Sequence, residues 1–187
     1  METIKTKVCV MGAEGLECAK LLANNGIKTV LVDDSEFSSV TSDNENLTVI
    51  SGFSFVCCRV NEHLTFAIKA IDDGLVSFVI IEKGREKVRI RAEYFIDATD
   101  NIALAKNAGC PHTFNKERTH FEFVGNCVLL DDENDCEKQP NIPLDCTKTR
   151  EFSNLFVIRG LHNVSSENAK MQVTDVVAQH IKGLLAV

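Results

Sequence analysis

Four apolar residues in succession, Val8-Cys9-Val10-Met11, run directly into Gly12. A run that is apolar at every position, without polar alternation, suits a strand buried on both faces of a sheet. Beyond Gly12 the apolar positions take helical spacing through Leu16, Ala19, Leu22 and Ala23, and Asn25-Gly26 supplies a left-handed stop. A second apolar run, Ile27 to Val32, closes at Asp33. Strand, helix and strand at this length predict a βαβ unit and therefore a parallel sheet.

The period then changes. Residues 34–46 are polar and Ser-rich, which predicts a loop, and a short apolar run follows from Leu47 to Ile50. From 52 to 97 the chain is rich in Val, Ile and Phe. Strand segments are expected at Ser54–Val60, His63–Ile71, Leu75–Glu82 and Lys87–Ala92, with turn clusters at Asp72-Asp73-Gly74 and Lys83-Gly84-Arg85-Glu86. This is the pattern of an antiparallel meander over about 52–93. Tyr94 to Ala98 reads as another buried strand, and 101–108 as a helix ending near Gly109.

Residues 111–153 hold all three prolines and the acidic run Asp131-Asp132-Glu133-Asn134-Asp135, and are expected to be irregular and solvated. The run is no calcium loop, because Cys136 and Ile142 stand where such a loop needs its Gly and its bidentate Glu. Asn154 to Ile158 predicts a strand. A closing helix follows, with Val173, Val176, Val177, Ile181 and Leu184 as its apolar stripe and Ser165 or Ser166 as its cap. The expected fold class is α/β, a Rossmann-like doubly wound sheet with an inserted antiparallel β-meander, in one domain spanning 1–187.

Composition narrows the function. The chain has 187 residues, 44% of them hydrophobic, and no apolar run of about 18 residues, so no membrane span is expected. Its start, Met-Glu-Thr-Ile-Lys-Thr-Lys, lacks the apolar core of a secretory signal. A formal charge of −7 disfavours nucleic acid as a partner. Of the eight cysteines, Cys9 and Cys18 fall in the opening strand and helix, and Cys57-Cys58 should face opposite sides of a strand. Cys110, Cys127, Cys136 and Cys146 are too widely spaced for a C-x-x-C pair. A zinc or iron–sulfur site from Cys127, Cys136, Cys146 and His120 or His112 is the weaker alternative. Free thiols in a reducing, intracellular compartment, with no metal, are the preferred expectation. The five histidines are scattered, and Cys110-Pro111-His112 reads better as a turn than as a redox pair. No nucleophile–base pair emerges, so no catalytic residue is assigned.

The segment after the first strand is where a dinucleotide's phosphates would be held. In a G-x-G-x-x-G turn the first Gly makes the bend, the second lets backbone approach the pyrophosphate, and the third lets the helix pack on the strand. Two registers are open. With Gly15 as third glycine, Gly12 is second and Val10 replaces the first; this gapless register is preferred, since Gly26 and Asp33 then also align. Alternatively Gly12 is the first glycine and the loop is two residues short. Either register puts Glu14 near the phosphates, where a carboxylate repels them. Asp33, at the end of the second strand, is placed to hold a ribose hydroxyl.

The order of these segments resembles the FAD-dependent oxidoreductases with the glutathione-reductase-like FAD/NAD(P)-binding fold. It is most similar to a branch in which the meander ends in a motif like IRAKYFIDATGD. The matching stretches are Val8 to Asp33, Leu75 to Asn101 (ending Ile-Arg-Ala-Glu-Tyr-Phe-Ile-Asp-Ala-Thr-Asp-Asn) and Asn154 to the C-terminus. The resemblance implies FAD contacts at Gly12, Glu14, Gly15, Asp33, Thr99, Asp100, Arg159 and Gly160. Several of these are altered. The Ala-Thr-Gly turn reads Ala98-Thr99-Asp100, and the late Ala-Gly-Asp or Ala-Gly-Arg reads Ile158-Arg159-Gly160-Leu161. Segment 111–153 is also short for the family's substrate region.

Changed contacts on a kept core imply a flavoprotein-like domain that has lost cofactor and catalysis. Such a chain would act as a structural or accessory subunit, docking a protein partner or a second copy through 111–153. A working FAD- or NAD(P)-dependent oxidoreductase with an unusual loop is the alternative. A second alternative is an adenylation-type domain, since Gly-Ala-Glu-Gly-Leu-Glu-Cys-Ala and Asp97-Ala-Thr-Asp-Asn101 also resemble segments of the ubiquitin-activating family.

Overall fold

The computed structural model describes residues 1–35, 43–61, 74–116, 120–123, 149, 151–159 and 167–186. Strand β1, Glu2–Lys5, is not marked by the apolar pattern. It forms because its backbone pairs in parallel with a distant strand, with only Ile4 of the four partly covered. Strand β2, Val8–Met11, is buried at every position. A 3-10 turn at Ala13–Gly15 leads into helix α1, Leu16–Asn24, which buries Cys18, Ala19, Leu22 and Ala23. Gly26, at a φ of 78°, ends the helix in the left-handed conformation that its lack of a Cβ makes inexpensive. Strand β3, Thr29–Asp33, is again buried throughout, and β4, Leu47–Ser51, lies beside it.

The meander follows as β5, Ser54–Asn61, then β6, Leu75–Lys83, and β7, Glu86–Arg91. Residues 62–73, including the expected strand His63–Ile71, lie outside the described residues. Strand β8 is Tyr94–Asp97, and α2 is Ala103–Ala108, two residues shorter at its start than the sequence suggests. Strands β9, His112–Asn115, and β10, His120–Phe123, form an antiparallel pair. That hairpin corrects the expectation of irregular chain over 111–153: ladder hydrogen bonds organise its first part despite weak local patterning. Within that segment, 124–148 lie outside the described residues. Strand β11, Leu155–Val157, and helix α3, Glu167–Leu185, complete the chain; Ser165 and Ser166 are not described.

Five strands form a sheet in the order β11-β8-β2-β3-β4, with every neighbouring pair parallel. A second sheet has the order β1-β7-β6-β5. The doubly wound sheet and the inserted meander are therefore both present, with β1 as an added edge. Helix α3 buries Val173, Val177 and Ile181 as expected, but Leu184 is 42% exposed and does not belong to the stripe. The helix packs on α1, where the Cys18 thiol approaches the Thr174 carbonyl, and its His180 meets the Phe156 ring edge-on at 5.7 Å.

Asn154 joins the two sheets. It is buried, its Oδ1 accepts the Val76 amide at 2.9 Å, and its Nδ2 donates to the carbonyls of Val76 at 2.9 Å and Glu93 at 3.0 Å. Its own carbonyl accepts the Phe95 amide. Asn154→Leu keeps the volume but strands these backbone groups away from water. We expect a loss of about 3 kcal/mol in urea unfolding; a loss below about 1 kcal/mol would show that the sheets are held together by other means.

Candidate functional site

In an open parallel sheet, ligands gather at the carboxyl ends of the strands where the connections change direction. Here the chain runs from β2 to β3 on one side and later returns to β8 on the other. The crevice between the ends of β2 and β8 is therefore the candidate site. Gly12 to Gly15, Ala98 to Asp100 and Arg159 border it.

The first turn settles the register of the glycines. Val10 lies within β2, fully buried, paired with Leu31 on one side and Ile96 on the other. A residue held in two ladders cannot form the bend, so the gapless register is corrected. Gly12, immediately after the strand, is the first glycine, and the loop is two residues short. Gly12 has a φ of 103°, and a Cβ there would lie 2.6 Å from the Ala98 carbonyl oxygen and 2.9 Å from the Thr99 amide nitrogen. At Gly15 a Cβ would lie 2.2 Å from a methyl of Val10 and 2.9 Å from the Ala98 side chain. The bending glycine and the helix-packing glycine are thus kept, while the one that opens backbone to pyrophosphate has no counterpart. The Gly12 amide donates to Val32 and the Gly15 amide to Gly12, so both are used within the chain.

Glu14 and Arg159 meet across this crevice. An Arg159 Nη2 lies 3.2 Å from the Glu14 Oε2, with the arginine side chain 17% exposed and the glutamate 57%. Arg159 Nε is buried and, among the described residues, has no hydrogen-bond partner. Gly160 lies outside the described residues.

Asp33 is buried at the end of β3, where its Oδ1 accepts the Ser35 amide at 2.9 Å. Thr99 faces inward to its own turn: its hydroxyl donates to Asp97 Oδ1 at 2.7 Å and accepts the Ala103 amide at 2.7 Å. Asp100 is exposed. Asp97, not assigned a role from sequence, organises this corner. It is fully buried, and its carboxylate also accepts the amides of Thr99 at 3.0 Å and Ala105 at 2.8 Å. Burial raises its pKa, and these hydrogen bonds oppose the rise without cancelling it. An acid ending an otherwise apolar strand was the signal in the sequence. Ile102, buried at a φ of 45°, holds a left-handed conformation that is uncommon for a β-branched residue.

The thiols offer little nucleophilic chemistry. Burial pushes Cys9 far up, Cys18 and Cys110 to about 12, and Cys58 to about 11. His112 Nδ1 contacts the Cys110 carbonyl at 2.9 Å, which is the geometry of a turn. Cys127, Cys136, Cys146 and the side chain of His120 lie outside the described residues. Among the described residues no three His, Cys, Asp or Glu side chains gather as metal ligands.

No family model matches the chain, and no curated protein matches it. Solved structures do. THI4 from Thermovibrio ammonificans superposes with a TM-score of 0.61 at 14% identity, over 97% of this chain and 91% of that one. The GidA-related protein from Thermus thermophilus gives 0.58 at 10% identity, over 97% and 99%. The chain therefore shares the fold of these two proteins, a Rossmann-like α/β architecture. The chain spans less than half the length of larger neighbours. It covers 42% of a geranylgeranyl bacteriochlorophyll reductase-like protein from Thermoplasma acidophilum (TM-score 0.41, 13% identity, 57% of this chain) and 23% of L-proline dehydrogenase from P. horikoshii. At such identities the fold carries over while the chemistry must be argued from the site. Compared with a G-x-G-x-x-G turn, the 12–15 turn is two residues short, has no second glycine and carries the Glu14 carboxylate.

Two outcomes follow from this corner. Gly12→Ala forces a left-handed Ala against the Ala98 carbonyl and should cost at least about 3 kcal/mol in urea unfolding; a neutral substitution would contradict the packing. Because the folded-state pKa of Asp97 is raised above its ordinary 3.8, its contribution to stability is complete below that pH and is lost as pH rises through the folded value. Asp97→Asn should remove this fall, seen as a change in the wild-type-minus-variant urea midpoint with pH. A difference independent of pH would show that Asp97 titrates as it does in the unfolded chain.

Proposed function

We propose that this chain is a flavoprotein-like domain that has lost cofactor binding and catalysis and serves as a structural or accessory subunit of a larger assembly. The supporting observation is the Glu14–Arg159 ion pair across the crevice, where the FAD-binding fold would accommodate a diphosphate. A carboxylate at that place repels phosphate oxygens, and the arginine that could attract them is engaged with it. The surrounding core is intact, with Val8, Cys9, Val10, Phe95, Ile96 and Leu155 fully buried. Loss of a ligand under retained folding leaves this combination.

The surface for a partner is assigned to segment 111–153. Its described part includes β9, where Phe114 is 48% exposed. The free thiols at Cys9, Cys18, Cys57, Cys58 and Cys110 accord with a reducing compartment. Among the described residues no helix is long and apolar enough to cross a membrane. One observation favours a second reading, a working FAD- or NAD(P)-dependent oxidoreductase: Asp33 keeps its place at the end of β3, where a ribose hydroxyl is held in this fold.

Spectroscopy and native mass spectrometry of the protein purified from its source separate the two readings. The expected result is a protein with no flavin absorption, no mass increment for a dinucleotide and a co-purifying protein partner or second copy. Stoichiometric flavin, or diaphorase turnover abolished by Asp33→Ala, would establish the second reading in its place.

A further inference from the structure

The two faces of the second sheet are unlike. On the inner face Val79 and Ile81 of β6 and Val88 and Ile90 of β7 are all buried. Facing residues of a ladder share a side of the sheet and successive residues alternate, so the register also fixes what lies on the outer face. There Arg59 of β5 is opposite Phe78 of β6, Ile80 is opposite Arg89 of β7, and Lys5 of β1 is beside Arg91 of β7. Phe78, Ile80 and Arg89 are half-buried, while Lys5, Arg59 and Arg91 are exposed.

This face opposes the sign of the whole chain, whose formal charge is −7. Its acid, Glu82, is engaged by Lys87 at 3.3 Å. Among the described residues Lys5, Arg59, Arg89 and Arg91 have no acidic partner. Arg89 sits over the Phe78 ring, 4.6 Å from its centroid, where the ring's negative face attracts the cation. Its Nε is buried and has no hydrogen-bond partner among the described residues. A buried donor left unpaired is costly, and the stacking offsets part of that cost. Arg89 and Arg91, two residues apart on one strand, are separated by roughly 7 Å. The β6–β7 register continues to set Arg91 across Phe78 from Arg59, about 10 Å away over two strand spacings.

We propose that the outer face of the second sheet docks an acidic segment of another protein, bound in extended form. Alternate residues of an extended peptide point to one side at the same roughly 7 Å interval, so successive carboxylates meet Arg89 and Arg91. Arg59 takes a further carboxylate, and Phe78 and Ile80 form the apolar floor between the charges. Guanidinium forks suit carboxylates, which they bind through paired hydrogen bonds. Two observations favour a protein over a nucleic acid. Arg89 already covers one side of the Phe78 ring, the aromatic surface on which a base would stack. A phosphate backbone running past the patch would also meet the surface of a chain with net negative charge. The surface uses none of the crevice side chains and no residue of segment 111–153, so the inference stands whether or not flavin binds.

Fluorescence anisotropy with a fluorescein-labelled peptide, Glu-Ser-Glu-Ser-Glu-Ser-Glu, tests the proposal on the full chain. Arg59→Gln/Arg91→Gln removes two exposed cations from the face, with folding verified by thermal unfolding. Lys28→Gln/Lys182→Gln removes the same charge at two exposed positions elsewhere. Wild type and the lysine variant should bind the peptide within about twofold of each other, and the arginine variant at least about tenfold more weakly. Rising salt should weaken binding by wild type. No saturable binding by wild type, or an equal loss in both variants, would overturn the proposal. An oligothymidylate of equal charge that binds more tightly than the peptide would give the face to nucleic acid instead. A wild-type dimer in analytical ultracentrifugation that the arginine variant dissociates would give it to a second copy of this chain, again overturning the proposal.

Discussion

The double pairing of β2 constrains everything around the crevice. Its backbone is hydrogen-bonded to β3 on one side and β8 on the other, and its side chains are buried on both faces. A strand so enclosed cannot slip by one residue without moving polar groups into the core, so its end is fixed at Met11. Gly12 must therefore make the bend, and the Ala98 amide, donating to the Met11 carbonyl, brings the end of β8 alongside. The close approach of Gly12 to Ala98 follows from that register. Position and shape of the crevice are consequences of one strand's ladders.

Polar groups then complete what the ladders begin. Asp97, at the end of β8, accepts hydrogen bonds from both the turn and α2, so one buried carboxylate holds the corner opposite Gly12. Asn154 plays the corresponding part between sheets, satisfying backbone groups of β6 and of the chain entering β8. Both cases use a buried polar side chain whose hydrogen bonds offset its desolvation. The Glu14–Arg159 pair differs from these, because Glu14 remains half in water and Arg159 Nε has no partner among the described residues. Surface ion pairs of that kind contribute little to stability. Its significance lies in where it is: across the mouth of the crevice rather than in the core.

The likeness to solved structures and the departures at the site belong to different levels. Architecture is maintained by many apolar contacts, each replaceable within limits of volume and pattern. A diphosphate cradle depends on a few positions with no tolerance for an added side chain or a misplaced charge. An architecture can therefore persist at 14% identity to a solved neighbour while the turn at 12–15 departs from the G-x-G-x-x-G pattern.

By itself the sequence determined the parallel sheet, the meander and the closing helix. Wholly apolar runs such as Val8 to Met11, and helical spacing such as Val173, Val177 and Ile181, are local signals whose physical cause is burial. It also determined which residue types line the crevice, including the glutamate beside Gly15. Tertiary structure alone decided the rest. Strand β1 exists only through pairing with β7, and Glu2-Thr3-Ile4-Lys5 carries no pattern that announces it. The choice between the two glycine registers needed the partners of Val10, because local sequence fits both. Glu14 and Arg159 are 145 residues apart in the chain and meet because β2 and β11 end on the same side of one parallel sheet. Long-range pairing sets such juxtapositions, and no local periodicity encodes them.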